Sequence, residues 1–389
     1  MRTRILFLMA LLWGVVASVH STHANAITVT NTNDSGPGSL RNALAVANDG
    51  DTIDATGVSG TILLTSGELQ ITHSVTINGP GAENLAVNGN ATFVVFHNFA
   101  SNATISGFTI TNGNGGGIVN RSRLTLSDSS VVSNVGGGID NDAFNRITTL
   151  TITNSTVSGN STTGSGGGIF TAGADGDATL TVSNSTISGN SANANGGGIF
   201  GAALSLSHGA SSMVTVRNST ISGNSAAGDG GAIYNAAGSH STAELDLDGT
   251  ILNAGGSGEN IFNDGGTVIS RGYNLASDNG GGVLTGPGDQ IDTDPMLGPL
   301  QDNGGPTFTH ALLPGSPAIN AGEPNFVPPP YSDQRGLGFD RVRGGRIDVG
   351  SFEVQNPPSP SPTPTATPTP RPASTPRPRP TPLPRPTPG

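Results

Sequence analysis

The residues best equipped for chemistry are four aspartates that come in two pairs. Asp140 and Asp142 follow one GGG turn, Asp175 and Asp177 follow the next, and Arg121, Arg123 and Arg146 lie near them in sequence. Carboxylates gathered on one face can hold Ca²⁺, and an arginine beside them can take the proton next to a uronate carboxyl. That is the equipment of a calcium-dependent polysaccharide lyase, provided the fold stacks Asp142 against Asp175. The competing reading is composition. Aspartate beside glycine and asparagine is what solvated turns are made of, and it accounts for the pattern without a site.

Other chemistries find less. Glycoside hydrolysis needs clustered aspartates with a histidine and a basic clamp; Ser207-His208-Gly209 is a weak substitute for that set. His73, His97, His208, His240 and His310 are scattered, so neither a metal cluster nor a Ser-His-Asp set is suggested. GGGI and GPGDQ precede no helix and are not phosphate loops. The acidic, glycine-rich turn from Ser277 to Gly282 could take a structural calcium, but the GGxGxD nonapeptide of calcium-binding β-rolls is absent. We assign no catalytic, cofactor or metal residue from sequence.

What must position these side chains is a phrase written three times. It reads LTITNSTVSGNSTTGSGGGIF from Leu150, LTVSNSTISGNSANANGGGIF from Leu180 and VTVRNSTISGNSAAGDGGAIY from Val214. Blurred copies start at Leu124 and Leu245, giving spacings of 26, 30, 34 and 31 residues. Repetition at such a period marks a stacked solenoid. Within one copy, Leu150 and Ile152 alternate with Thr149, Thr151 and Thr153, the pattern of a half-buried strand. Val157 and Ile169 mark two further short strands, separated by NST, SGN and GGG turns. Three short strands per unit with no helix between them predict an all-β chain, a single-stranded right-handed parallel β-helix whose inward Leu, Ile and Val form columns. Asn154, Asn184 and Asn218 share one position in the repeat and are expected to stack as an amide ladder.

Ahead of the rungs, residues 1–26 have the form of a secretory signal: Arg2 and Arg4, an apolar run from Ile5 to Val19, then Ala24-Asn25-Ala26 as a small-x-small cleavage site. Cysteine and lysine are both absent. Of 16 arginines, two lie in the leader and four in the tail, so residues 27–356 set ten against all 27 carboxylates, about −17. That balance disfavours nucleic acid and anionic membranes.

A strand and an N-terminal cap are expected over 27–60. In SLRNALAVAN (39–48), Leu40, Ala43, Leu44 and Ala47 fall on one helical face, Ser39 can N-cap, and Asn48-Asp49-Gly50 stops the helix. Such a helix would cover the open end of the core. The stretch resembles the CSLREA motif found at the start of many secreted bacterial β-helix proteins: Ser39, Leu40, Arg41 and Ala43 match, while Gly38 stands for the Cys and Asn42 for the Glu. Rungs are expected over 61–270. Their GGGI and SGN elements resemble the repeats of polymorphic outer-membrane proteins, although that family's terminal translocator barrel has no counterpart in this sequence.

Residues 271–356 carry a different text, expected to form C-terminal rungs and a cap. Asp294-Pro295, Leu297 to Leu300, Asp302 to Thr307, His310 to Ala318, Asp333 to Gly336 and Ile347 to Glu353 resemble the C-terminal segment of choice-of-anchor Q proteins. Taken with the CSLREA-like start, the resemblance implies a pectin-lyase-like β-helix, exported and held at the cell envelope by a device that varies among members. It implies no reaction.

The tail, 357–389, has proline at nearly every second place, which enforces extended polyproline II and reads as a disordered stalk reaching about 100 Å at ~3.1 Å per residue. LPRPT at Leu383 is a near miss for a sortase signal. The expectation is a secreted or surface-held monomer, with no membrane span once the leader is removed and no cofactor. Its role is structural or adhesive, its partners extracellular polysaccharide or other surface components. The alternative is a calcium-dependent lyase or a glycoside hydrolase.

Overall fold

The computed structural model describes residues 24–205 and 209–355. Most of the expected leader, the proline-rich tail, Ser207 and His208 lie outside the described residues.

The described chain coils as a right-handed parallel β-helix. Each turn contributes one strand to each of three parallel sheets, as in Asp177–Ser183, Thr186–Ser188 and Ile199–Ala203. The first sheet runs from Ala26–Thr28 to Thr267–Gly272 and has ten strands. The second runs from Gly60–Leu63 to Leu275–Ala276, and the third from Leu69–Ile71 to Ile261–Asp264.

Alternation decides which residues build the core. Ile152, Val182 and Val216 stand in register on the first sheet, Val157, Ile187 and Ile221 on the second, and Ile169, Ile199 and Ile233 on the third. All are fully buried, each contributing roughly 1.5–3 kcal/mol. Outward on the first sheet stands a file of threonines, Thr52, Thr76, Thr104, Thr125, Thr151, Thr181 and Thr215, one per rung. β-branched side chains fit that pleated surface.

Polar ladders thread the coil, and the strongest is not the expected one. Asn160, Asn190 and Asn224, from the SGN turns, and Asn134 at the matching place in the blurred copy are at most 1% exposed. Asn134, Asn160 and Asn190 each donate Nδ2 to the next Oδ1 at 2.8–2.9 Å, and Asn224 donates to Ile187 O. A second file runs through Ser129, Ser155, Ser185 and Ser219; the hydroxyls of the last three each accept the backbone N–H of the preceding rung's serine, and that of Ser129 accepts from Phe108 N. Asn154, Asn184 and Asn218 take left-handed φ values of 50°, 52° and 46° at the corner between the first two sheets. Asn184 does donate to Asn154 at 2.8 Å, but Asn218 turns its Oδ1 to Arg341 instead. The tight approach of rungs explains the GGG runs: a Cβ on Gly168 or Gly198 would lie 2.5 or 2.6 Å from the next rung's carbonyl oxygen.

The cap forms as Leu40–Val46, with the Ser39 hydroxyl accepting from Asn42 N. Leu40, Ala43 and Leu44 join the main core. Arg41 clasps Asp34 and donates to the carbonyls of Gly67 and Glu68, tying the cap to the first full rung.

Residues 271–355 take three roles. Arg271 to Ala276 complete the last strands. The next stretch closes the core with Leu284. Residues 297–354 turn back as a brace along the outer face of the second sheet, beginning with the antiparallel pair Leu297–Gln301 and Thr309–Leu312. There Thr156 donates to Phe308 O, Thr186 to Gln334 Oε1, and Ser351 N to Thr220 Oγ1. Part of the hydroxyl-bearing outer face of the second sheet is therefore covered by the protein itself. Within the brace, Arg335 pairs with Asp333 and lies between the rings of Phe339 and Phe352, at 4.0 and 3.8 Å.

Candidate functional site

The strand Ile139–Asp142 belongs to the third sheet, and period-2 alternation sends Asp140 and Asp142 outward on either side of buried Asn141. Arg121, just past Ile118–Asn120 of the preceding rung, reaches both. Its Nη2 lies 2.9 Å from Asp140 Oδ2 and its Nη1 lies 3.6 Å from Asp142 Oδ2. Burial pushes the Asp140 carboxyl up from its ordinary value; the Arg121 charge opposes that shift and the Asp142 charge adds to it. Asp140 Oδ1 and Arg121 Nη1 are shielded from solvent without hydrogen-bond partners.

The other expected members do not arrive. Asp142 stands level with Ala172, not with Asp175. Asp175 occupies a left-handed turn and accepts from Ser205 Oγ at 2.5 Å. Asp177 accepts from Ser211 Oγ at 2.7 Å. Arg123 is exposed at a strand start, and Arg146 donates to its neighbour Phe144 O. The acidic turn near Ser277 spends Asp278 on Asn260 and Gly280 amides. Among the described residues no group of three or more His, Asp or Glu side chains is placed to hold a metal ion.

The histidines divide similarly. His97 Nδ1 lies 3.1 Å from Glu68 Oε1 and its ring stacks on Phe99, while its Nε2 is buried without a partner. It stands two rungs before Asp140 in the same outward file, with Val119 between. His310 is a brace residue. Gly298 O can only accept, so Nδ1 carries the proton and Nε2 accepts from Ser188 Oγ. Burial lowers its pKa, in keeping with that neutral ring. His73 and His240 are placed apart from these groups, His240 in a left-handed turn.

The outward file that begins with His97, Val119 and Asp140 continues with aromatic rings: Phe170, Phe200, Tyr234 and Phe262. Successive centroids are 5.1, 5.2 and 5.5 Å apart, with planes within 14° of parallel. Ring atoms touch at about 3.5–4.0 Å, so such separations require lateral offset. The rings overlap like tiles and cover Ala202 and Ala236 beside them. This file escaped the functional reading of the sequence. Its signal was the aromatic residue closing each GGGIF, GGGIF and GGAIY phrase.

Phe170 is the end tile, and its next outward neighbour is Asp140. At that step lies a hollow of about 300 Å³, lined by Phe170, Asp140, Asp142, Ile139 and glycines of the GGG turns. A larger depression of about 540 Å³ lies where the brace ends at Phe308 and the bare second sheet begins.

No family model matches the chain, and no curated protein matches it. Among solved structures, the chain is similar to that of pectate lyase Pel9A, at 14% sequence identity and a TM-score of 0.48. The match covers 85% of this chain and 97% of that one, and the likeness is one of fold.

Proposed function

We propose that this chain is an exported β-helix rod with an adhesive role, which holds polysaccharide along its third sheet without cleaving it. The supporting observation is the tiled aromatic file that ends in the Phe170–Asp140–Asp142 hollow. Phe170, Tyr234 and Phe262 are half-buried and Phe200 between them is buried, so a ridge with three accessible rings runs into polar groups and offers sugars an apolar contact and hydrogen bonds together. Rigidity comes from the stacked rungs and their buried asparagine and serine ladders. Export rests on the leader-like residues 1–26 and on the resemblance to secreted β-helix families.

The lyase alternative asks Arg121 to be a free base and the aspartates to be free calcium ligands. Here the same arginine is engaged by both aspartates. An arginine held in ion pairs is not a free base, which favours binding over elimination. The test is to incubate the full chain with neutral, acidic and amino polysaccharides in the presence of Ca²⁺, following polymer retention and polymer length together. Retention at unchanged length is the expected result; shortened chains with an unsaturated end would replace adhesion by catalysis.

A further inference from the structure

We infer that the hollow at Phe170 selects a protonated amino group, so that the polysaccharide held on the third sheet is one bearing free amino sugars. This rests on the adhesive reading above and adds the ligand's charge.

The argument begins with the arithmetic of charge. Two carboxylates line the hollow, and Arg121 is the cation paired with them. One arginine cannot neutralise both. The chain as a whole carries −11, so its field attracts cations and repels uronates.

Hydrogen-bond bookkeeping points the same way. Asp140 Oδ2 is satisfied by Arg121, but Asp140 Oδ1 is shielded from water and accepts from nothing. Asp142 has Arg121 Nη1 at 3.6 Å, beyond hydrogen-bond distance. Asp142 is thus the carboxylate of the hollow left without a hydrogen-bond donor, and a charge-assisted bond to it is among the stronger ones. An ammonium brings three donors on one centre. In the hollow it can reach the Asp142 carboxylate and supply the positive charge that Arg121 leaves unmatched, where a sugar hydroxyl brings one donor and no charge.

The remaining walls fit the body of a sugar. Phe170 offers a ring to the apolar face of a pyranose and, through its quadrupole, to the cation itself. Gly115, Gly136, Gly164 and Gly166 on the rim have no side chains to obstruct entry. The volume of about 300 Å³ is at the low end for small-ligand sites, in keeping with a single unit of a longer polymer.

The experiment compares glucosamine oligomers, N-acetylglucosamine oligomers of equal length and galacturonate oligomers by calorimetry on the full chain. Glucosamine oligomers are expected to bind about tenfold or more tightly than their acetylated counterparts, the worth of a charge-assisted contact. Asp142→Asn should abolish that difference while sparing the acetylated oligomer. Asp292→Asn, which removes an exposed charge in the C-terminal stretch, should leave it intact. Equal binding of amino and acetylated oligomers would overturn the amine selectivity and leave the adhesive reading standing. Equal loss in both variants would also overturn it, reducing the effect to general attraction. Preference for galacturonate would overturn it as well, and failure to bind any glycan would overturn both readings.

Discussion

Gln334 Oε1 accepts a hydrogen bond from Thr186 Oγ1 at 2.6 Å, across 148 positions of sequence. The amide's other end donates to Thr156 Oγ1 at 2.9 Å and Thr307 Oγ1 at 3.0 Å. One fully buried side chain thus ties two rungs of the coil to the brace.

Gln334→Ala should loosen the brace before the coil. Several buried groups lose a partner at once, each loss costing about 1–3 kcal/mol. Limited proteolysis is expected to cut within 297–354 first, while strands of the first sheet keep their amide-exchange protection. Simultaneous loss of protection in brace and coil would show that the two do not open separately.

The asparagine ladder predicts a large cost for a small change. Asn190 Oδ1 accepts from both N and Nδ2 of Asn160, while its own Nδ2 donates to Asn224 Oδ1 and Val157 O. Asn190→Ala strands those groups in the interior and is expected to cost about 2–4 kcal/mol by urea unfolding. Asn193→Ala, in the turn just beyond, should cost well under 1 kcal/mol. Similar values for the two would mean that the ladder does not stabilise the coil.

Glu353 gives the brace a pH signature. Burial, reinforced by the Asp348 charge, pushes its carboxyl up to about 8 from an ordinary 4.5. The folded chain then holds a proton across that window that the unfolded chain has released. Stability must therefore fall as pH rises from about 5 to about 8, by at most ~1.4 kcal/mol per unit, and level off above. Urea midpoints of the wild type should decline over that range, and those of Glu353→Gln should decline less. Identical slopes would remove Glu353 as the cause.

Much of this fold was legible because the repeat states it three times. Alternation at Leu150 and Ile152 separated core from surface, and Ser39 with Leu40, Ala43 and Leu44 announced the cap. The sequence points to Asn154, Asn184 and Asn218 for the ladder, but every full copy carries an asparagine in both its NST and its SGN turn and sequence does not rank the two. Burial does: the SGN asparagine lies inside the coil, while the NST asparagine sits at a left-handed corner where a short polar side chain is tolerated. The lyase reading requires Asp142 to stack against Asp175, but vertical neighbours depend on turn lengths that vary from copy to copy, and Asp142 stands level with Ala172. The brace was hidden for another reason. Its partners, such as Thr186 and Gln334, lie far apart in a text without periodicity.

The aromatic file makes a mutational claim. Phe200 is held between Phe170 and Tyr234, at 5.1 and 5.2 Å. Phe200→Ala should destabilise the chain by about 3 kcal/mol and break the ridge into two. Thermal unfolding and polysaccharide retention, measured on the same preparation below its melting range, should both decline. A fall in stability with full retention would separate the ridge from binding.

The most direct test of the adhesive account is retention of the full chain on insoluble polysaccharide, wild type against Phe170→Ala, with polymer length followed in the same tubes. The account predicts that the wild type is retained, that Phe170→Ala is released at lower salt or sugar concentration, and that polymer length stays constant in both. Wild-type chain that shortens the polymer, or that is retained no better than Phe170→Ala, would contradict it.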